Sequence, residues 1–180
     1  LIQHGIPAEN ISGIEISPEQ VKIAEEKKLG AHFKVGDLRT DILPANTYDV
    51  VTRHMVDEHL DNQGLLEVSK NTFNTLKLGG ALIVIFTHPD KITASNGISQ
   101  EGWFETTFPW KGPDGEFEKG QNYFRPVESY VEILKKAGFV IDSVEDWKIP
   151  PEAEDVNKEE YEKYKKYGNV RLAVKAHKPV

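Results

Sequence analysis

The sequence has no cysteine among its 180 residues. Disulfides and thiolate metal sites are excluded, and a reducing cytoplasm is the expected location. Long apolar runs are also missing. The longest extends only from Ala81 to Phe86, far short of the ~20 residues that cross a bilayer as a helix, so no membrane association is expected. Positive charge is not in excess either. The formal net charge is −7, with Lys and Arg mixed among acids, whereas a nucleic-acid binder presents a basic face to the phosphates. The expected partner is a small molecule rather than nucleic acid. The six histidines are scattered and none has the His-x-x-x-His spacing of a metal site, so no metal is expected.

Short β-branched runs alternate with helical patterns along the chain. Leu1 to Gly5, followed by Ile6-Pro7, reads as the last turn of a helix. Ile11 to Ile16 reads as a buried strand. Ser17-Pro18-Glu19 then supplies an N-cap, a proline at the first helical position and an acid in the first turn. Val21, Ala24 and Leu29 form that helix's apolar stripe, and Gly30 ends it. His32 to Val35 and Tyr48 to Thr52 read as the next two strands. Helical spacing of Leu65, Leu66, Val68, Phe73 and Leu76 predicts a helix from Asp61 to Leu78, stopped by Gly79-Gly80, with a strand from Ala81 to Phe86.

Residues 87–122 read as an inserted, lid-like loop rich in Gly, Pro and scattered aromatics, among them Trp103, Phe104, Phe108, Trp110 and Phe117. A helix from Pro126 to Lys136, a strand from Phe139 to Trp147 and a strand from Val170 to Val174 follow. Between those strands, residues 150–168 form a charged insertion, helical from Asn157, whose Tyr161, Tyr164 and Tyr167 give it one docking side. The alternation predicts a single Rossmann-like, doubly wound α/β domain over residues 1–180, mostly parallel. It ends in an antiparallel hairpin, because no crossover helix separates the last two strands cleanly.

Several short motifs occur in a familiar order. Gly13-Ile14-Glu15-Ile16-Ser17-Pro18 resembles the second-strand motif of class I S-adenosylmethionine-dependent methyltransferases. There an acid at the strand end takes the ribose hydroxyls, beyond the carboxyl ends of the strands. Val35-Gly36-Asp37-Leu38 is similar to the third-strand motif, and Tyr48 to His54 to the fourth. Leu76-Lys77-Leu78-Gly79-Gly80 looks like the family's helix-to-strand turn, with Leu78 where proline is common. Ser129-Tyr130 through Gly138-Phe139 resembles the step into the hairpin. The resemblance covers residues 10 to 147 and rests on order and spacing, since each motif alone is weak. The family's Gly-x-Gly-x-Gly loop is absent. The dinucleotide fingerprint places such a loop ~20 residues before the acid, so the expectation is that the loop and the first strand lie upstream of Leu1 and that this segment alone is inactive.

The resemblance implies S-adenosylmethionine as cofactor and methyl transfer to a small-molecule acceptor by in-line displacement. It makes Glu15 the ribose ligand and Asp37, after Gly36, the adenine ligand, with Ile16 and Leu38 on the ring faces. Arg53 and His54 would pass beside the methionine moiety, although Arg53 reads equally as a salt-bridge residue. His59 is the candidate general base, with a helix-capping or surface role as the alternative. His88, Trp103, Tyr123 and Arg125 are candidates for the acceptor side; the aromatics read equally as a small core under a long loop. Two rivals keep the fold: a methyltransferase-like binding or scaffold protein without catalysis, and a nicotinamide-dependent oxidoreductase. The latter requires Gly-x-Gly-x-x-Gly and a parallel last strand.

Overall fold

The computed structural model describes residues 2–41, 43–111 and 115–180. Leu1 and residues 112–114, within the expected opening turn and loop, lie outside the described residues, as do the side chains of Pro109, Trp110 and Lys111. The chain divides into two compact units, residues 1–43 and 44–180.

In the first unit, a 3-10 turn over Ile2–His4 precedes strand β1 (Ser12–Glu15), helix α1 (Pro18–Glu26) and strand β2 (His32–Val35). The Ser17 hydroxyl accepts a hydrogen bond from the Gln20 amide, and Pro18 occupies the first turn, where its missing N–H costs nothing. The helix stops four residues short of Gly30. Lys28 turns to φ +49°, and Leu29 is exposed instead of continuing the stripe headed by buried Val21. β1 and β2 pair in parallel, Ser12 opposite His32 and Glu15 opposite Val35.

The second unit is built on a sheet with strand order β3-β4-β8-β7. β3 (Tyr48–His54) leads through α2 (Asn62–Thr75) to β4 (Leu76–Thr87), a parallel β-α-β crossover. α2 starts at Asp61, whose carboxylate accepts the Gly64 amide. It ends at Thr75, three residues before the expected stop. Leu76 already pairs with Tyr48, and the two glycines lie inside β4. Gly79 takes φ +74° so that its amide can reach the Lys178 carbonyl. The expected C-terminal hairpin is present: β7 (Val140–Lys148) and β8 (Asn169–His177) are antiparallel neighbours, and β8 is antiparallel to β4 as well.

Residues 87–122 contain regular structure instead of a loop. Helix α3 (Pro89–Asn96) is followed by strands β5 (Gly102–Lys111) and β6 (Phe117–Phe124), which pair as an antiparallel hairpin. Phe104 and Phe124 pack with Ile92 and Ile98 in a small core of their own. The main core sits where α2 and α4 (Val127–Lys136) meet the sheet. Leu65, Val68, Tyr130, Leu134, Leu82, Val84, Leu172 and Val174 are all essentially buried there. In the charged insertion, α5 (Ala153–Val156) and α6 (Lys158–Tyr164) expose Lys and Glu, while Tyr161, Tyr164 and Tyr167 are half-buried and the Lys91 ammonium lies 4.7 Å from the Tyr164 ring. Among the described residues no helix is long and apolar enough to cross a membrane.

Candidate functional site

Parallel pairing brings the candidate nucleoside residues of the first unit to one edge. Glu15 ends β1 and Gly36 follows β2, and the Gly36 amide donates to the Glu15 carbonyl at 3.0 Å. The Glu15 side chain is exposed, and its Oε1 accepts the Ser17 amide at 2.9 Å, which points the carboxylate along the strand end. Ile16, next in the chain, is 62% exposed, an apolar surface left open at the same edge. A Cβ at position 36 would fall 2.7 Å from both Asp41 Oδ2 and Ile14 Cδ1, so those side-chain ends would have to shift to admit it. Asp37 has partners within the chain. Its carboxylate accepts the Arg39 backbone amide at 2.9 Å and the Arg39 guanidinium through Nε and Nη2. Those hydrogen bonds hold the Asp37 carboxyl below its ordinary value. Its own amide is taken by Asp41. Leu38 is half-buried beside it.

In the second unit, the end of β3 alternates inward and outward. Arg53 is 3% exposed, whereas His54 is exposed. The Arg53 guanidinium donates to Asp57 Oδ2 at 2.8 Å, Ser69 Oγ at 3.3 Å, Thr72 Oγ1 at 3.4 Å and the Tyr130 hydroxyl at 3.4 Å. The Tyr130 hydroxyl donates in turn to Asp57 Oδ2. Burial opposes the charge on Arg53, but Asp57 and Tyr130 outweigh it and the pKa rises. Arg53 thus forms a buried salt bridge with Asp57, where the sequence left a cofactor contact or a surface salt bridge open. Its side chain points into the core and is not presented to a ligand. His59, in a 3-10 turn over Asp57–His59, is exposed, its ring edge-on to Phe108 at 6.4 Å.

Beyond β4 lies a shallow crevice with the apolar walls Phe86, Pro89 and Ile92 and the polar residues Glu58, Thr87, Tyr123 and Arg125. Glu58, 6% exposed, accepts the Thr87 amide at 3.1 Å and the Thr87 hydroxyl at 3.4 Å. The Arg125 guanidinium is buried and donates to Asn62 Oδ1 at 2.7 Å, the Leu60 carbonyl at 2.7 Å and the Asp57 carbonyl at 3.4 Å. Burial lowers its pKa. Its guanidinium also lies 4.8 Å from the Tyr123 ring, and Tyr123 is paired edge-on with half-exposed Trp103 across the hairpin at 5.3 Å. Arg125 thus ties the foot of β6 to the turn after β3.

His88 does not join the crevice. It is 3% exposed; Nδ1 accepts the Asp90 amide at 3.0 Å as the N-cap of α3, and Nε2 faces Asp146 Oδ1 at 3.0 Å. An accepting Nδ1 places the ring proton on Nε2, so both nitrogens are engaged in structure. The sequence reading did not single out Glu58, which the structure buries against Thr87. It stands beside His59 in Asp57-Glu58-His59-Leu60, where the histidine drew the chemical interest, and no local pattern marks one acid of a pair as the buried one. Among the described residues no cluster of His, Asp and Glu has the arrangement of a metal site.

Residues 1–84 match the methyltransferase domain family. The 2-methyl-6-phytyl-1,4-hydroquinone methyltransferase of Synechocystis sp. is 27% identical over 148 residues, which is 78% of this chain and 43% of that protein. The chain thus spans less than half the length of the curated relative it matches. In solved structures the fold resembles a proposed S-adenosylmethionine-dependent methyltransferase of Listeria monocytogenes, with a TM-score of 0.76 and 20% identity over 99% of this chain and 83% of that one. It also resembles an S-adenosylmethionine-dependent methyltransferase of Mesorhizobium loti, with a TM-score of 0.72 and 16% identity over 98% and 83%. Motif order and strand pairing agree with these likenesses: the first 84 residues match the methyltransferase domain family, and the fold is similar to that of the two solved structures.

Proposed function

We propose that the protein transfers a methyl group from S-adenosylmethionine to a small-molecule acceptor. The observation that carries this reading is the juxtaposition of Glu15 and Gly36-Asp37 at the carboxyl ends of the neighbouring parallel strands β1 and β2, where α/β folds take their ligands. The residues present suit a nucleoside. An exposed carboxylate accepts two hydroxyl protons, and exposed Ile16 offers an apolar face for a base. The Arg39 guanidinium shares Asp37, so an adenine amino group would add to that contact or replace part of it.

When bound, S-adenosylmethionine supplies a methyl carbon already activated by the adjacent positive sulfur, and the reaction we propose is an in-line displacement. The work left to the chain is to orient the acceptor and exclude water. The net charge of −7 favours a small-molecule acceptor over a nucleic acid. The antiparallel pairing of β7 with β8 counts against the nicotinamide alternative, whose last strand is parallel. A scaffold without catalysis has the same fold and is separated from an enzyme only by binding and turnover.

The test is calorimetric titration of the protein with S-adenosylhomocysteine, comparing wild type with Glu15→Ala. Loss of hydrogen bonds to a charged group should weaken binding at least ~10-fold. Absence of binding by the wild type would sink the proposal, and equal affinity of the two proteins would remove Glu15 from it.

A further inference from the structure

The Asp37 carboxylate is fully taken up within the chain. A carboxylate offers about four acceptor positions, and Arg39 alone makes four contacts to this one. The Arg39 backbone amide and Nε reach Oδ1 at 2.9 and 3.0 Å. Nε and Nη2 reach Oδ2 at 3.1 and 2.6 Å. An amino group arriving at this edge therefore finds no open acceptor on Asp37. We infer, on the nucleoside-binding reading of this edge, that Arg39 is a latch. Its guanidinium occupies Asp37, has to swing off before a nucleobase amino group can bind there, and so sets the affinity for 6-amino nucleosides.

The turn decides which side chain yields. The Asp37 carbonyl accepts the Thr40 amide at 3.1 Å and the Asp41 amide at 2.8 Å, while Asp41 Oδ2 accepts the Asp37 amide at 2.5 Å. Asp41 also lies 3.5 Å from the Lys34 ammonium of β2. The backbone of Asp37 is thus held from both sides, and its side chain is 25% exposed against 49% for Arg39. A long side chain half in water can leave cheaply, since an exposed ion pair is worth a factor of about 5 or less in an equilibrium constant. Among the described residues Oδ2 is engaged by the guanidinium only, whereas Oδ1 also has the amide. Removing the side chain therefore opens Oδ2 and leaves Asp37 oriented. A neutral amino group is a weaker donor to a carboxylate than a guanidinium. The ligand displaces the latch only with the help of its other contacts, the ribose at Glu15 and the base face at Ile16.

The experiment is a calorimetric titration of the wild type and Arg39→Met with two probes. One is S-adenosylhomocysteine, and the other is its analogue with an unsubstituted purine, which lacks the 6-amino group. Arg39 is exposed, so methionine should be tolerated there; it keeps an apolar stem and removes the donors. Arg39→Met should bind S-adenosylhomocysteine about 2- to 5-fold tighter than the wild type, and the purine analogue with unchanged affinity. The Arg39 contacts hold the Asp37 carboxyl below its ordinary value. Its midpoint, followed by carbon nuclear magnetic resonance without ligand, should therefore rise in Arg39→Met. An unchanged midpoint would overturn the latch at the level of the contact. Equal or weaker S-adenosylhomocysteine binding by Arg39→Met, or an equal gain for the purine analogue, would overturn it and leave the nucleoside reading standing. Failure of both proteins to bind S-adenosylhomocysteine would overturn the latch together with that reading.

Discussion

Removing the Asp57 carboxylate should be among the most damaging single changes in the second unit. Asp57 is fully buried and Arg53 is 3% exposed, and the two are joined at 2.8 Å with the Tyr130 hydroxyl on the same carboxylate oxygen. In Asp57→Ala the guanidinium keeps only the neutral oxygens of Ser69, Thr72 and Tyr130, at 3.3 to 3.4 Å. Breaking a buried pair from one side costs about 3–5 kcal/mol, because the surviving charge stays out of water without its counterion. For a chain of this size that corresponds to a fall in Tm of roughly 6–20 °C. Removing both charges with apolar replacements, as in Arg53→Met/Asp57→Leu, abolishes the uncompensated ion. The double variant should therefore be more stable than Asp57→Leu alone, with a coupling of about 2 kcal/mol or more in the double-mutant cycle that Arg53→Met completes. Urea unfolding followed by circular dichroism measures all the variants. A loss below about 1 kcal/mol for Asp57→Ala, the scale of an exposed pair, would refute the reasoning and mean that Arg53 reaches solvent.

Two further outcomes follow from buried groups in the same unit. Tyr130 has its pKa pushed well up by burial and by the Asp57 charge, so the folded protein holds the phenolic proton longer than the unfolded chain does. Stability should fall as pH rises above the free-phenol value of about 10. Denaturation profiles at alkaline pH should show less of this slope in Tyr130→Phe, and an identical slope would rule out Tyr130 as its source. His88→Ala should lose about 1–2 kcal/mol through the lost cap of α3, with part recovered in His88→Asn. Thermal unfolding of the two variants decides it, and equal losses would mean that the cap does not matter.

Local signals account for most of the strands. β1, β2, β3 and the centre of β4 lie close to where short β-branched and apolar runs place them, although β1 and β2 are mostly exposed rather than buried. α1 starts where Ser17-Pro18-Glu19 places it. The same signature stands at His88-Pro89-Asp90 and begins α3, but histidine is an uncommon cap, and the segment reads as a loop without knowledge of the Nδ1 contact. The hairpin of β5 and β6 was hidden for another reason. Trp103 and Phe104 face opposite sides, one exposed and one buried, so aromatic character does not alternate even though burial does. The end of α2 was misplaced because Leu76 is apolar at both helical and strand spacing; only its pairing with Tyr48 shows which period applies. The adjacency of Glu15 and Gly36 at one strand edge is what motif order leads one to expect. The engagement of Asp37 by Arg39 was not legible, since a residue two positions away can turn toward or away from a carboxylate.

The turn after β3 shows how the core network and the crevice depend on one another. Met55 holds φ +56° between the inward Arg53 and the buried Asp57, a left-handed conformation costing roughly 1–2 kcal/mol for a residue with a side chain. That cost is borne only if the flanking contacts fix the turn, and they do so from three directions. Arg53 grips Asp57 from β3, Tyr130 grips it from α4, and Arg125 holds the Asp57 and Leu60 carbonyls from the end of β6. A turn fixed on both sides leaves Glu58 a single position, against the Thr87 amide at the end of β4. Arg53 and Arg125, both candidates for ligand contact in the sequence, hold this turn in place through Asp57 and Leu60. They keep the Glu58 carboxylate buried against the Thr87 amide.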